Sequence, residues 1–256
     1  MEEKYKLTNT CRIRCRGRLF AEIGAIIFDK DGTLADSEDF LRQLAINRAR
    51  LIDAKIPGIY PSLLKAFGVG ENYFNPSGLM AVGSNRENQI VAAGYIAAET
   101  GKSWFEALTI AASCFEEAEK ALPKRGYISP LFAGSLEVIQ RLSAKGLKLA
   151  ILSADTTQNI RDFVETHQLT PYIDFIMGVD GHISKPDPRL YLAVCDKIGV
   201  KPENTLMVGD SQGDIAMARK ANAGGVIGIC WKLSYPCHLQ QADVVIHDLA
   251  EIQVDN

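Results

Sequence analysis

The sequence contains two pairs of aspartates, Asp29 with Asp31 and Asp210 with Asp214, and each pair follows directly after a short apolar run. Carboxylates gathered in one crevice repel one another and raise each other's pKa unless a cation neutralises them. Oxygen ligands select a hard cation, and Mg²⁺ in proteins usually keeps several waters and a substrate phosphate oxygen. The two pairs therefore predict a Mg²⁺ site at which an anionic phosphate can approach an anionic aspartate.

Two further polar residues follow apolar runs and suit the same chemistry. Ser153 can donate its hydroxyl and Lys185 its ammonium group to phosphoryl oxygens, which matches the charge of a phosphoryl-transfer transition state. Asp29 can act as a nucleophile, forming an aspartyl-phosphate, while Asp31 can protonate the leaving alcohol and later deprotonate water. Gly32 allows backbone N–H groups to come close to the phosphate. The expected reaction class is phosphoryl transfer through a carboxylate.

The elements that must position these residues are predicted from alternating apolar and helical patterns. Continuous apolar runs are typical of strands buried on both faces, and the segments between them show helical spacing, such as Tyr191, Val194, Cys195 and Ile198. This alternation predicts an α/β fold, a doubly wound parallel sheet with helices on both faces. Ligands of such sheets bind beyond the carboxyl ends of the strands, where the polar residues above are expected. The predicted strands contain residues 25–28, 147–152, 175–177, 205–208, 226–229 and 244–246.

A long segment between the first and second of these strands has a different character. Residues 36–125 lack a convincing buried strand but carry helical stripes, for example Leu41, Ala45, Ala49 and Ile52. A segment of that length can bury a core of its own. We therefore expect an all-helical cap domain at 36–125, inserted into a catalytic core made of 1–35 and 126–256. The basic segment 4–20 is expected to add an edge strand or hairpin.

The ordered motifs resemble those of the haloacid dehalogenase superfamily. They are Asp29-Lys30-Asp31-Gly32-Thr33-Leu34, Ser153, Lys185 and Gly209-Asp210-Ser211-Gln212-Gly213-Asp214. The similarity extends from Ile23 to Leu249, and the helical insertion resembles the mobile cap of the phosphoglycolate-phosphatase-like branch. The resemblance implies a Mg²⁺-dependent phosphatase acting on a small phosphorylated metabolite, with phosphoglycolate as the first candidate.

The resemblance also implies a role for each matching residue. Asp29 would be nucleophile and metal ligand, and Asp31 acid/base, with its backbone carbonyl on the metal. Asp210 would be the remaining side-chain metal ligand, and Asp214 would lie at or just outside the first coordination shell. The predicted phosphate-binding residues are Gly32, Thr33, Ser153, Ala154 and Lys185.

Several alternatives stay open beside this interpretation. Dehalogenating relatives lack the second aspartate of the first motif, so the presence of Asp31 argues against that reaction. Phosphomutases share all four motifs, and phosphonate hydrolases use a cap lysine, for which Lys55 and Lys65 are available. A receiver-like phospho-aspartate signalling domain would use similar residues. In the cap, Asn85 and Arg86 could reach a substrate carboxylate or simply begin a helix.

The amino-acid composition indicates which classes of partner the protein can bind. The 256 residues carry 28 lysines and arginines against 31 aspartates and glutamates, a net charge of −3, and a nucleic-acid partner would favour a cationic surface. No apolar stretch approaches the roughly 20 residues that span a membrane, and the start lacks the apolar core of a signal peptide. The six scattered cysteines predict unlinked thiols in a reducing cytoplasm. The expected protein is cytoplasmic, binds neither nucleic acid nor membrane, and is a monomer or homodimer.

Overall fold

The computed structural model describes residues 10–71, 73–121, 129–232 and 237–255, and the chain divides into two compact units. One unit consists of Met1–Asp36 and Pro130–Asn256, and the other of Ser37–Ser129. The first boundary lies one residue after the predicted one. The second was expected between 125 and 126, which lies outside the described residues.

A six-stranded parallel sheet forms the centre of the first unit, in the order β5-β4-β3-β6-β7-β8. Within this sheet the chain begins at β3, adds β4 and β5 on one side, then crosses over and adds β6, β7 and β8 on the other. This is the predicted doubly wound arrangement, and the order reverses beside β3. The strands are β3 (Ala25–Phe28), β4 (Lys148–Leu152), β5 (Phe175–Met177), β6 (Thr205–Gly209), β7 (Gly225–Ile229) and β8 (Val244–Ile246).

The register of the central strands brings the polar residues to one edge of the sheet. All residues of β3 and β6 are buried, because apolar side chains on both faces are covered. Phe28 pairs with Ile151 of β4 on one side and with Val208 of β6 on the other. The residues that follow each strand must therefore emerge side by side.

In the described part of the first unit, four helices pack against this sheet. They are α6 (Ser135–Ala144), α7 (Thr157–Thr166), α8 (Pro188–Ile198) and α9 (Gln212–Lys220). Helix α8 begins at Pro188, because the Asp187 side chain accepts a hydrogen bond from the Arg189 N–H and proline suits the first helical position. It ends at Gly199, whose left-handed conformation (φ 71°) suits a residue without a Cβ.

A second, antiparallel sheet of three strands is also part of the first unit, in the order β2-β1-β9. The hairpin of β1 (Cys11–Cys15) and β2 (Arg18–Ile23) pairs with β9 (Gln253–Asp255). The predicted hairpin is thus present from residue 11, while residues 4–9 of that prediction lie outside the described part. Three outward arginines of the hairpin, Arg14, Arg16 and Arg18, meet acids, for example Arg14 with Asp255 at 2.8 Å.

The second unit is helical, as predicted. Its helices are α1 (Glu38–Lys55), α2 (Tyr60–Phe67), α3 (Leu79–Val82), α4 (Asn85–Thr100) and α5 (Trp104–Ala121). The predicted stripe of α1 faces a core of its own: Ala45, Ala49 and Ile52 are fully buried and Leu41 is partly buried. Residues 37–71 and 73–121 contain no strand longer than an isolated bridge. Among the described residues, no helix combines the length and the apolar composition needed to cross a membrane.

Candidate active site

Three carboxylates meet at the carboxyl edge of the parallel sheet. Asp29 follows β3, while Asp210 and Asp214 follow β6, and one oxygen of each lies within 4.8 Å of the others. Asp29 and Asp214 are buried, at 6% and 1% exposure. The adjacency of β3 and β6 in the sheet brings together residues about 180 positions apart in the chain.

Gly32 makes room for one of these carboxylates. It has a φ of +79°, and a Cβ built on it would lie 2.1 Å from Oδ2 of Asp210. The Thr33 hydroxyl donates to Oδ1 of the same carboxylate at 3.4 Å. Within the turn, the Gly32 N–H donates to the Ala35 carbonyl at 2.9 Å and the Thr33 N–H to the Lys30 carbonyl at 3.3 Å. Sequence reasoning missed this close approach, and phosphate binding by Gly32 and Thr33 stays a prediction.

Lys185 joins two of the carboxylates. Its Nζ donates to Oδ1 of Asp29 at 2.6 Å and to Oδ1 of Asp214 at 2.7 Å, and its side chain is only 5% exposed. Burial alone would lower the pKa of Lys185, but the charges of Asp214 and Asp29 raise it above its ordinary value. The lysine therefore remains a buried cation between the two carboxylates.

Asp214 has a second set of partners in helix α9. Ser211 is the N-cap, its hydroxyl donates to Oδ2 of Asp214 at 2.6 Å, and the Asp214 N–H returns a bond to that hydroxyl at 3.1 Å. A Cβ on Gly209 would lie 2.6 Å from Asp214, so this glycine also permits a close approach. With one oxygen on Ser211 and the other on Lys185, Asp214 belongs to the capping box of α9 and is also an electrostatic partner of the lysine.

The electrostatics of the cluster suit a bound cation. The pKa of Asp29 is raised to about 7, because burial and the charges of Asp214 and Asp31 together outweigh the lowering by Lys185. Burial, together with the charges of Asp29 and Asp214, also holds the pKa of Asp210 well above its ordinary value. Ionised carboxylates this close are costly without compensation, and an all-oxygen set of this kind fits a hard divalent cation. The residues present therefore fit Mg²⁺.

The remaining predicted residues lie at the ends of β3 and β4. Asp31, two residues beyond Asp29, is partly buried, and Lys30 Nζ contacts both its carboxylate oxygens at 2.7 Å. Ser153 follows β4, is 1% exposed, and its oxygen accepts a hydrogen bond from the Asp155 N–H at 3.2 Å. Its hydroxyl proton can still be donated elsewhere. Ala154 lies between these two residues and is partly buried.

Two residues near the cluster were not identified from the sequence. Trp231, just after β7 and Cys230, donates its indole N–H to the Thr33 carbonyl at 3.1 Å and stacks on Phe132, with ring centroids 4.4 Å apart. His238 lies 3.1 Å, through Nε2, from the backbone carbonyl of Asp210. Since a carbonyl only accepts, Nε2 must carry the proton. The only signal for Trp231 in the sequence is its position after a strand. A single aromatic residue at such a position is usually interpreted as a packing residue.

In the helical unit, the segment around Asn85 begins a helix. Ser84 and Glu87 form a reciprocal capping box at the start of α4. The Asn85 side-chain oxygen accepts a bond from Arg48 at 2.7 Å, and Arg86 is exposed. The structural alternative for these residues is therefore present, and contact of either residue with a substrate carboxylate stays a prediction.

Comparison with known proteins adds to this geometry. The model of the haloacid dehalogenase-like hydrolase family matches residues 23–222. The phosphoglycolate phosphatase of Escherichia coli K12 is 25% identical over 236 residues, which cover 91% of this chain and 92% of the relative.

Solved structures share the fold. A predicted phosphoglycolate phosphatase from Haemophilus somnus aligns with a TM-score of 0.66 at 21% identity, covering 90% of this chain and 96% of its own. A β-phosphoglucomutase from Clostridium difficile aligns with a TM-score of 0.59 at 16% identity, covering 88% and 90%. At these identities the structural likeness supports the architecture alone.

Proposed function

Because the chain belongs to the haloacid dehalogenase-like hydrolases, we propose that it is a Mg²⁺-dependent phosphatase that hydrolyses a small phosphorylated metabolite through an aspartyl-phosphate. The observation that carries the proposal is the placement of Asp29. This carboxylate lies within 4.8 Å of Asp210 and Asp214 and is held by Lys185 at 2.6 Å. A nucleophile beside a cation site and a buried ammonium group suits attack on a phosphate.

Three groups would hold the cation. These are the carboxylates of Asp29 and Asp210 and the backbone carbonyl of Asp31, with Asp214 just outside them. When bound, Mg²⁺ neutralises the carboxylates and the phosphate, so that two anions can approach each other. Gly32 and the Thr33 hydroxyl keep the Asp210 carboxylate at this position.

The first step is phosphoryl transfer to the protein. A carboxylate oxygen of Asp29 attacks phosphorus, and the bond between phosphorus and the ester oxygen breaks, leaving its electron pair on that oxygen. Asp31 gives its carboxyl proton to the departing oxygen, so the alcohol leaves neutral. Lys185 and the Ser153 hydroxyl bind the phosphoryl oxygens as negative charge redistributes over them.

The second step regenerates the protein. A water oxygen attacks the phosphorus of the aspartyl-phosphate while Asp31, now a carboxylate, accepts a proton from that water. The bond between phosphorus and Asp29 breaks and returns its electron pair to the carboxylate, releasing inorganic phosphate. Asp31 ends the cycle protonated, as it began.

The proposed substrate is phosphoglycolate. This choice rests on the relative in Escherichia coli, which aligns over 92% of its own length. Phosphonate hydrolysis through a cap lysine is disfavoured, because Lys55 and Lys65 are both exposed, whereas a lysine that forms an imine is typically activated by burial. Phosphomutase activity would use the same residues and remains the second candidate, distinguished by its phosphate acceptor.

The test is a turnover assay with Mg²⁺ and a panel of phosphorylated metabolites that includes phosphoglycolate and sugar phosphates, following inorganic phosphate. We expect phosphate release that depends on Mg²⁺ and is abolished by EDTA. Transfer of phosphate between positions of a sugar, without release, would instead favour the phosphomutase. If no ester is turned over, and acetyl phosphate merely labels the protein stably, the receiver-like alternative replaces the enzyme.

We place the reaction in the cytoplasm, with a small metabolite rather than a nucleic acid or a membrane as partner. The cysteines support the location. Five described ones are free thiols: Cys11, Cys15, Cys114, Cys195 and Cys230. Thiols persist in reducing compartments. Fractionation of cells followed by immunodetection tests the location, and sedimentation analysis decides between monomer and homodimer.

A further inference from the structure

Lys30 lies between two acidic side chains from different strand ends. It is 7% exposed. Its Nζ contacts both carboxylate oxygens of Asp31 at 2.7 Å and one oxygen of Asp155 at 3.1 Å. Asp31 and Asp155 follow β3 and β4 respectively, so the ammonium group spans two neighbouring strands of the sheet.

Asp155, the acid that follows β4 and which we call the far anchor of Lys30, is itself held by several hydrogen bonds. Its Oδ1 accepts the backbone N–H of Thr156 and the side-chain amide of Asn159, both at 2.7 Å. Its own N–H donates to the Ser153 oxygen at 3.2 Å. These bonds fix Asp155 at the start of α7, which leaves its other oxygen directed to Lys30.

A buried ammonium group of this kind must be paired. Burial alone would lower the pKa of Lys30, but the charges of Asp31 and Asp155 raise it above its ordinary value, so the group stays charged. The Phe163 ring centroid, 5.7 Å from Nζ, provides a further favourable contact for the cation. Lys30 therefore acts as a rigid, charged link rather than a solvated surface lysine.

We propose that Lys30 is a positioning residue, which tethers the Asp31 carboxyl to the end of β4 so that Asp31 can deliver its proton to the leaving oxygen. The inference rests on the proposed function, in which Asp31 is the acid. Both Asp31 oxygens contact Lys30 in the structure, so when Asp31 carries its proton, one oxygen can keep that contact while the other presents the proton to the leaving oxygen. Restricting Asp31 to this orientation raises the rate of proton transfer, because only near-aligned geometries react.

Two substrates with different leaving groups distinguish a positioning role of Lys30 from a purely structural role. When the phosphorus–oxygen bond breaks, benzyl phosphate leaves a strongly basic alkoxide that needs the Asp31 proton. By contrast, 4-nitrophenyl phosphate leaves a stable phenolate that needs none. The ratio kcat/KM reports steps up to loss of the alcohol, so hydrolysis of the aspartyl-phosphate, shared by both substrates, does not enter it.

The experiment measures kcat/KM for both esters with saturating Mg²⁺ in the wild type, Lys30→Met, Lys30→Arg and Asp31→Asn. We expect Lys30→Met to lower kcat/KM for benzyl phosphate by about 10- to 100-fold, below the full value of a general acid, and to change that for 4-nitrophenyl phosphate by less than about threefold. Asp31→Asn should show the same asymmetry more strongly. Lys30→Arg keeps a positive charge that can pair with both Asp31 and Asp155, so it should recover most of the kcat/KM that Lys30→Met loses with benzyl phosphate.

Two further variants guard the interpretation. Asp155→Asn weakens the far anchor at a partly exposed side chain without touching Asp31, and should give a smaller loss with the same asymmetry, even if Lys30→Met does not fold. Lys148→Met removes an exposed lysine paired with Asp174 in the same unit and should leave both substrates unchanged.

The outcomes distinguish the two proposals. Equal losses on both esters, in Lys30→Met or in Asp155→Asn, would overturn the positioning role and leave the phosphatase in place. A wild type that, with Mg²⁺, hydrolyses neither of these esters nor any metabolite of the panel would overturn the proposed function and, with it, this inference.

Discussion

Gly32 and Asp210 approach each other so closely that any side chain at position 32 would collide with the carboxylate. A Cβ on Gly32 would lie 2.1 Å from Asp210 Oδ2 and 2.7 Å from its Cγ. The glycine of the first motif therefore allows the Asp210 carboxylate to occupy its position, in addition to adopting the left-handed turn. The proposed cation site includes Asp210, so it depends on this contact between two distant parts of the chain.

Gly32→Ala is expected to displace the Asp210 carboxylate and to weaken Mg²⁺ binding by about tenfold or more, because metal sites tolerate little misplacement of a ligand. It should also lower the free energy of unfolding by more than about 2 kcal/mol, through strain at φ +79° plus the collision. Calorimetric titration with Mg²⁺ and denaturant unfolding measure the two effects.

Gly17→Ala is the matched control for this substitution. Gly17 has a φ of +81°, but no atom lies within 4 Å of a Cβ built there, so only the backbone strain of about 1 kcal/mol should appear. If both variants lose the same stability and both bind Mg²⁺ normally, the contact between Gly32 and Asp210 has no functional importance.

Asp29→Asn should lower turnover by at least about a thousandfold, because an amide cannot serve as the attacking carboxylate. The fold should persist, and the metal-free variant should be as stable as the wild type or more so, since burial disfavours the ionised form of Asp29. Phosphate release and thermal unfolding are the measurements. Cys11→Ser, a change remote from the carboxylates, should be kinetically silent, and a rapid Asp29→Asn enzyme would refute the nucleophile assignment.

The stability of the metal-free protein should fall as the pH rises from about 4 to about 7. The pKa of Asp29 is raised from 3.8 to about 7, so the folded chain holds this proton more tightly than the unfolded one. The contribution is complete below the unfolded pKa and is lost as the pH rises through the folded value. Melting temperatures measured in EDTA across this range test it.

Added Mg²⁺ should reverse this trend, because the cation binds the ionised carboxylate. Its apparent affinity is expected to fall about tenfold for each pH unit below 7, for one displaced proton. The gain in melting temperature on adding Mg²⁺ should thus be larger at pH 8 than at pH 5. A gain that is the same at both pH values in the wild type contradicts the expectation, and Asp29→Asn should flatten the dependence.

Lys185→Met should be severely destabilising, by about 3–5 kcal/mol, because it leaves Asp29 and Asp214 buried without their cation. The loss should be smaller at pH 5, where the Asp29 carboxyl is protonated. Chemical denaturation at both pH values measures this. Lys148→Met removes a lysine that is 43% exposed and paired with Asp174, and should cost less than about 1 kcal/mol. Equal costs for the two lysines would show that the Lys185 pair is not electrostatically important.

Trp231→Phe should lower the free energy of unfolding by about 1 kcal/mol, because the hydrogen bond to the Thr33 carbonyl is lost while a ring remains to stack on Phe132. Trp104→Phe, at a side chain that is 44% exposed, should have little effect. Denaturant unfolding followed by circular dichroism, which does not depend on tryptophan emission, compares the two. Equal stabilities would argue against a role for Trp231 in holding the first motif.

The sequence predicted the parallel sheet and the edge at which the polar residues lie. Buried parallel strands such as β3 and β6 are continuous apolar runs, so their ends are visible without a structure. The residue immediately after such a run, Asp29 or Asp210, must emerge at the carboxyl edge. The helical insertion was equally visible, because the stripe of Ala45, Ala49 and Ile52 has the period of a helix.

Tertiary structure alone decided which groups touch. The pairing of Lys30 with Asp155, of Trp231 with the Thr33 carbonyl, and the collision that excludes a side chain at Gly32 all join residues more than 100 positions apart. Such contacts depend on strand order, on register and on the direction of each side chain. Strand order, register and side-chain direction are set when β3 pairs with both β4 and β6. No local sequence pattern around Lys30 or Gly32 encodes them.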